Sequence, residues 1–366
     1  MEQLKTPGLI LDIERVRRNA RTMSARADRL GVRLRPHIKT HKCIEAARIQ
    51  TAGRDGAITV STLAEARVFA ANGTTDITYA VPIEPGKFEA AIGLLRTGVT
   101  LNLLTDDADT ARMLDEAAGR AGVKLNVFVK IDCGTHRVGV EPHSAAAIDI
   151  PRLITDAANL HFAGILTHAG HSYDAGTVDE IRAVARHERD CMVELAGRLR
   201  ADSIAVPTVS IGSTPTMSLV DDLTGIDEIR PGNYIFYDNF QATLGSCSFE
   251  DTALTVLAAV IHVSDGKLVI DAGGIAMSKD RGPFGLDPSC GYGRVLDLDG
   301  SDTGMRLTSL SQEHGVIENN ENLSFKVGDR LRILANHSCM TAAQHTHYNV
   351  LENGEIVESW KIHTGW

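Results

Sequence analysis

Ala57-Ile58-Thr59-Val60-Ser61-Thr62 runs directly into Leu63 to Ala71, a strand-like run followed by a helix-like run. This succession decides the fold because it recurs along most of the chain. Upstream, Arg33 to Thr40 leads into Ile44 to Thr51. Downstream, Asp76 to Pro82 leads into Gly86 to Thr97, Val99 to Leu104 into Asp106 to Ala121, and Leu125 to Asp132 into His143 to Ala158. Leu160 to His168 then precedes the long helical stretch Thr177 to Ala201, Thr208 to Gly212 precedes Thr216 to Leu223, and Glu228 to Tyr237 closes the set. Each spacing leaves room for a parallel crossover, and strands rich in Val, Ile and Leu on both faces fit a parallel sheet covered by helices. Eight such units over about 210 residues match a (β/α)8 TIM-type barrel of the α/β class. A doubly wound open sheet is the competing architecture, but the chain has no GxGxxG turn.

Beyond residue 244 the texture changes. Ala253 to Val263, the turn Ser264-Asp265-Gly266 and Lys267 to Asp271 read as a hairpin, because Asp-Gly supplies the positive φ of a tight turn. Leu331 to Leu334 precedes a second hairpin, Tyr348 to Leu351 and Ile356 to Ile362 around Asn353-Gly354. The expectation is a barrel over 14–244 and an antiparallel β domain over 245–366, joined by the strand-like Gly8-Leu9-Ile10-Leu11-Asp12 within residues 1–13.

Composition narrows the function classes. Of 366 residues, 37 are Lys or Arg and 47 Asp or Glu, and this net charge of −10 without any cation-dense stretch argues against a nucleic-acid partner. The longest apolar stretch, Ala253 to Val263, is interrupted by Thr255 and His262 and falls short of the roughly 20 residues of a bilayer span, so no membrane partner is expected. The N-terminus has no apolar signal-peptide core, and six scattered cysteines without a CxxC form no disulfide framework. A soluble cytoplasmic protein is the expectation.

In a (β/α)8 barrel the reactive groups sit at the C-terminal ends of the strands. Those ends carry Lys39, Ser61 and Thr62, Asp132 to Arg137, His168 to Tyr173, Gly212-Ser213-Thr214, and Gly232-Asn233 with Tyr237. A lysine desolvated at a barrel mouth has a lowered pKa and condenses with an aldehyde; the alternative is an ordinary solvated lysine. Gly212-Ser213-Thr214-Pro215-Thr216 leads from a strand into a helix, and its backbone N–H groups and hydroxyls suit a phosphate, although it is no Walker loop. Arg230-Pro231-Gly232-Asn233-Tyr234 adds a second donor turn. A lysine combined with a phosphate cradle is what pyridoxal 5′-phosphate needs. His168, His171 and Tyr173 either contact cofactor or substrate or are satisfied polar groups at the barrel rim. Cys133, Cys43, Cys191, Cys247 and Cys290 read as packing residues.

His337 and Cys339 form a second informative pair. At i and i+2 of a strand both side chains share a face, so an imidazole and a thiolate can meet one cation. Two ligands are too few for a structural zinc and suit an open catalytic metal completed by water and substrate. His345 and His347 repeat the spacing and read better as a surface pair.

Arg35-Pro36-His37-Ile38-Lys39-Thr40-His41-Lys42, Ile58 to Ala66 and Tyr79-Ala80-Val81-Pro82 resemble the eukaryotic-type, zinc-dependent D-serine dehydratases. These are fold-type III, alanine-racemase-like pyridoxal phosphate enzymes, with D-threonine aldolases and 3-hydroxyaspartate-cleaving enzymes as relatives. Ile211 to Thr216, Arg230 to Tyr234 and Asn336-His337-Ser338-Cys339 continue the resemblance in order. It implies that Lys39 is the Schiff-base lysine and that the Gly212/Ser213/Thr214 and Gly232/Asn233 turns hold the phosphate. It also implies that Arg137 and Tyr173 lie near the cofactor ring, with His168 and Tyr237 expected beside it from their places at strand ends, and that His337 and Cys339 hold a divalent metal, zinc or in its place manganese, cobalt or nickel. The implied activity is dehydration and deamination of a D-3-hydroxy amino acid, such as D-serine or D-threo-3-hydroxyaspartate, by a homodimer. Aldol cleavage to glycine plus an aldehyde is the alternative; the aldolases generally place Asp where this chain has Cys339, which favours dehydration. A racemase and a non-catalytic pyridoxal phosphate carrier are more remote readings.

Overall fold

The computed structural model describes residues 1, 3–264, 266–318 and 324–366. The chain divides into two compact units: Met1–Thr22, Thr40–Gln50 and Asn233–Thr364 form the β unit, and Met23–Lys39, Thr51–Gly232 and Gly365–Trp366 form the barrel unit.

The barrel unit holds eight parallel strands: β1 (Arg33–Leu34), β2 (Ile58–Val60), β3 (Asp76–Pro82), β4 (Thr100–Thr105), β5 (Leu125–Lys130), β6 (Leu160–Leu166), β7 (Val209–Ile211) and β8 (Glu228–Ile229). They pair in the order β1-β8-β7-β6-β5-β4-β3-β2. A parallel bridge between His37 and Thr59 joins the ends, so the circuit closes as the eightfold repeat implies. The strands are apolar and buried on both faces, as an enclosed parallel sheet requires. Gly164 in β6 adopts φ +133°, and a Cβ there would lie 2.0 Å from the carbonyl oxygen of Thr208; only glycine lets the two backbones approach. The helices start where side chains replace missing backbone partners. Thr62 with Glu65 and Thr177 with Glu180 form capping boxes, the second opening the long helix Val178–Ala201. Arg35 is buried with its Nε 2.7 Å from Glu228 and its Nη1 2.7 Å from Asp76, which ties β1, β3 and β8 through one cation.

Among its described residues the β unit is one sheet of nine strands, in the order Lys267–Ile270, Gly315–Glu318, Asp302–Leu310, Gly293–Leu296, Arg330–Ala335, Leu254–Ser264, Gly8–Asp12, His347–Glu352 and Glu355–Lys361. The long strand Leu254–Ser264 also pairs with Lys267–Ile270, so this sheet closes on itself too. Both hairpins read from the sequence are present. The second turns through Asn353 and Gly354, both at positive φ, and in the first the expected turn residue Asp265 lies outside the described residues. Gly8–Asp12 pairs antiparallel with Leu254–Ser264 and parallel with His347–Glu352.

Three elements differ from expectation. Glu228 to Tyr237 is strand only at Glu228–Ile229 and then a single turn at Asn233–Ile235, because Pro231 cannot donate to a ladder and Gly232 favours a turn. Arg33 to Thr40 likewise gives a two-residue strand and, past Pro36, a turn over Ile38–Thr40. The 244/245 boundary falls inside the β unit, since Ile235 and Phe236 belong to the core formed by Leu9, Val256, Ile333 and Tyr348.

Candidate active site

In the barrel unit, the C-terminal strand ends carry most of the expected groups. Lys39 sits in the turn after β1, exposed rather than desolvated, and its backbone N–H donates to Nδ1 of His37 at 3.3 Å. The loop after β5 is pinned by Asp132, whose Oδ1 accepts from the backbones of Gly134 and His136, both at 3.0 Å. Arg137 is exposed on that loop.

The loops after β6 and β7 are tied together. Nδ1 of His168 lies 3.1 Å from the Gly212 carbonyl, so Nδ1 carries the proton and Nε2 is an acceptor. Burial, then the charge of Lys39, hold this imidazole well below its ordinary pKa, hence neutral. Oγ of Ser172 is 2.9 Å from Oγ of Ser213, and half-buried Tyr173 belongs to the same loop. Gly212 adopts φ +117°, and a Cβ there would press to 2.9 Å on Met217. Ser213 and buried Thr214 follow in the turn, where Ser213 caps the short helix Thr214–Leu219. Gly232 ends the second donor turn, where the N–H of His37 donates to the Pro231 carbonyl at 3.0 Å.

Two groups that carry charge here were not singled out by sequence. Lys130, 5% exposed at the end of β5, is pushed down to about 8 by burial and then by Arg230. Glu188, 0% exposed, lies on the helix Val178–Ala201. Each interrupts an apolar pattern, Lys130 after Val127, Phe128 and Val129 at the end of the strand Leu125–Lys130 and Glu188 in the buried helical stripe Ile181, Ala185, Met192, Leu195, Leu199. Those interruptions were the available signal. Cys133 packs against Cys191 with sulfurs 2.9 Å apart, both buried.

In the β unit, His337 and Cys339 do not lie on a strand. His337 precedes the short helix Ser338–Ala342, which follows the strand Arg330–Ala335. The strand-to-helix turn still brings the two side chains within hydrogen-bonding reach of each other. Nδ1 of His337 is held 2.7 Å from Oδ2 of Asp280, and the hydrogen bond draws that carboxyl below the usual range. Around Cys339, the Thr40 hydroxyl lies 3.2 Å and the Asn233 amide nitrogen 3.5 Å from Sγ. The same amide donates to Asp238 at 2.7 Å and Ser338 at 3.0 Å, so the side chain of Asn233 serves the Cys339 turn and only its backbone is left for an anion. Tyr237 is buried at φ +48°, a backbone that side chains seldom adopt, with its N–H on the Asn233 carbonyl at 2.8 Å. His345 and His347 do not form a second pair, because Nε2 of His345 meets the Ala276 carbonyl at 2.9 Å and His347 is exposed. Among the described residues no group of three His, Cys, Asp or Glu is placed to hold a metal ion.

A parallel barrel with its polar groups at the strand ends, combined with a closed antiparallel sheet, defines the alanine-racemase-like class. The alanine racemase N-terminal domain family matches residues 11–239, and a putative serine dehydratase domain matches residues 253–351. The chain belongs to the family that joins these two domains, the alanine-racemase-like dehydratases. It is 41% identical over 99% of its length, and 98% of the relative's, to the D-threo-3-hydroxyaspartate dehydratase of Delftia sp. strain HT23. It is 35% identical over 100% of its length, and 98% of the relative's, to the D-serine dehydratase of Dictyostelium discoideum. The solved structure of the Delftia enzyme superposes with a TM-score of 0.96 at 40% identity, covering 100% of this chain and 99% of that one. Among the described residues no helix is long and apolar enough to cross a membrane.

Proposed function

We propose that this chain is a pyridoxal-phosphate- and metal-dependent lyase that eliminates water from a D-3-hydroxy amino acid, D-threo-3-hydroxyaspartate or D-serine, and releases an oxo acid and ammonia. The observation that carries this reading is the 41% identity to a D-threo-3-hydroxyaspartate dehydratase across both units, against 29% to the 3-hydroxy-D-aspartate aldolase of Paracoccus denitrificans.

The residues present fit both groups. His337 has its Nδ1 engaged by Asp280, which leaves Nε2 for a cation, and Cys339 has Thr40 and Asn233 about its sulfur. An imidazole–thiolate pair suits zinc, with manganese, cobalt or nickel as substitutes. In the barrel unit the Ser213-Thr214 turn presents polar groups beside Gly212, where a Cβ would clash. When bound, pyridoxal phosphate supplies an electron sink for the carbanion left on Cα, and the metal supplies positive charge that makes the β-hydroxyl a leaving group. Lys39 would bind the cofactor aldehyde and, once displaced by the substrate amine, remove the Cα proton. Neutral His168 would present Nε2 as a fixed acceptor, the Ser213-Thr214 and Gly232-Asn233 turns would orient the phosphate, and Arg137, Tyr173 and Tyr237 would contact the cofactor. The active species in this reading is a homodimer, for which light scattering should give twice the chain mass.

The test is oxo-acid release by the purified protein. Oxaloacetate from D-threo-3-hydroxyaspartate or pyruvate from D-serine, abolished by a chelator and restored by zinc, is the expected result; Lys39→Ala should lose both the visible absorbance of bound cofactor and the activity. Glycine and an aldehyde without oxo acid would overturn the reading in favour of aldol cleavage.

A further inference from the structure

Glu188 is a fully buried carboxylate that the proposed reaction does not use. Burial pushes its pKa up, but it does not lack partners. Its Oε1 accepts the backbone N–H of Ala169 at 2.9 Å and that of Gly212 at 3.1 Å, and its Oε2 lies 3.4 Å from the Thr216 hydroxyl. Ala169 lies in the loop after β6 and Gly212 in the turn after β7, so one carboxylate takes a backbone donor from each. Arg230 does the converse. Buried at 5% exposure, its guanidinium donates to the carbonyls of Thr167 and Ile211, the latter at 3.1 Å, and to Oγ of Ser210 at 3.0 Å. Where β6 and β7 end, the carbonyls of Thr167 and Ile211 accept from a buried cation and the N–H groups of Ala169 and Gly212 donate to a buried anion.

We infer that Glu188 is the positioning residue of the phosphate turn: with Arg230 as its counterpart it sets the direction in which the loops after β6 and β7 leave the barrel, and it withholds the Gly212 N–H from the cofactor phosphate. Gly212 is then needed for its left-handed backbone and its lack of a Cβ, and within this turn phosphate recognition falls to Ser213 and Thr214. A backbone N–H already donated to a buried carboxylate is costly to release, because the acceptor would be left without its partner. This inference rests on the reading that the 212–214 turn takes the phosphate.

The experiment compares binding of pyridoxal 5′-phosphate and of pyridoxal, which lacks the phosphate, to the full-length protein after cofactor removal, followed by cofactor absorbance. Glu188→Leu should weaken pyridoxal phosphate about tenfold or more while leaving pyridoxal near wild type, since charge-assisted hydrogen bonds at the phosphate turn are lost. Glu188→Gln should recover most of the affinity, because its amide oxygen still accepts both N–H groups. Leu195→Ala, a core change on the same helix, should lower the melting temperature without altering the ratio of the two affinities. Equal weakening of both ligands by Glu188→Leu, or none, overturns the inference. A wild-type protein that binds pyridoxal as tightly as its phosphate overturns the phosphate-turn reading itself, and this inference with it. If Glu188→Leu does not fold, amide exchange in the wild-type protein decides: Ala169 and Gly212 should be protected far beyond their loop neighbours, and exchange at ordinary loop rates refutes the clamp.

Discussion

Asp280 and Cys339 are the two residues through which the metal reading is most directly checked. Asp280 fixes His337 with Nδ1 protonated, so that in this reading Nε2 would be the ligand, and removing such an outer partner lowers metal affinity about 10- to 100-fold. Asp280→Asn should therefore bind cobalt(II) more weakly by that factor while keeping the thiolate-to-cobalt absorbance band, whereas Cys339→Ala should lose the band altogether. Unchanged cobalt affinity in Asp280→Asn would remove the carboxylate from the metal site. Lys39, His337 and Cys339 could be singled out in the sequence because a lysine beyond a strand and a His-x-Cys spacing are local patterns, although the pair lies on a strand-to-helix turn and not on a strand. Asp280 was not, since only the tertiary fold carries it to His337, and neither was the second use of Asn233, whose side chain turns to Ser338 and Cys339.

At the scale of elements, the barrel depends on close passage of β6 beside the residues that lead into β7. Gly164→Ala would place a methyl group 2.0 Å from the Thr208 carbonyl on a left-handed backbone, so the expected outcome is a loss of several kcal/mol, read as failure to accumulate soluble protein or a steeply lowered urea midpoint. Thr177→Ala removes one capping box from the helix that carries Glu188 and should cost only about 1 kcal/mol in the same measurement. The repeating strand-to-helix texture was readable because each parallel strand is apolar on both faces. Short strands were the exception. Beside Pro36 and Pro231, strand-like composition gave two-residue strands and turns, and the strands Gly293–Leu296, Asp302–Leu310 and Gly315–Glu318 lacked an apolar alternation strong enough to be recognised.

The stability of the whole molecule should depend on pH through buried groups. His41 is fully buried, with Nδ1 accepting from the Cys43 backbone at 3.0 Å and Nε2 donating to Gln50 at 2.8 Å, and burial pushes its pKa down to about 4. Between that value and the unfolded value of about 6.5 the unfolded chain binds more protons, so stability falls as the solution is acidified through this window. The shift corresponds to roughly 3 kcal/mol. Urea midpoints measured from pH 7 to pH 4 should show this decline, and His41→Gln should flatten it. Below that range a second loss is expected, because Arg35 holds the Asp76 carboxyl below its ordinary pKa, and this contribution is present above the unfolded carboxylate range and disappears as pH falls through the lowered value.

From the sequence alone, the eightfold repeat, the two hairpins, the absence of cation clusters and the placing of Lys39 and the Gly212 turn at strand ends were determined, because each rests on a period or a turn chemistry written over a few consecutive residues. Tertiary structure alone decided what surrounds those groups. It made Lys39 exposed, assigned the Gly212 N–H to Glu188, turned Asn233 toward Cys339 and brought Asp280 to His337. The physical reason is one of range. Backbone direction and apolar period are local, whereas the partner of a buried donor or charge is whichever group the folded chain brings near it, often more than fifty residues away.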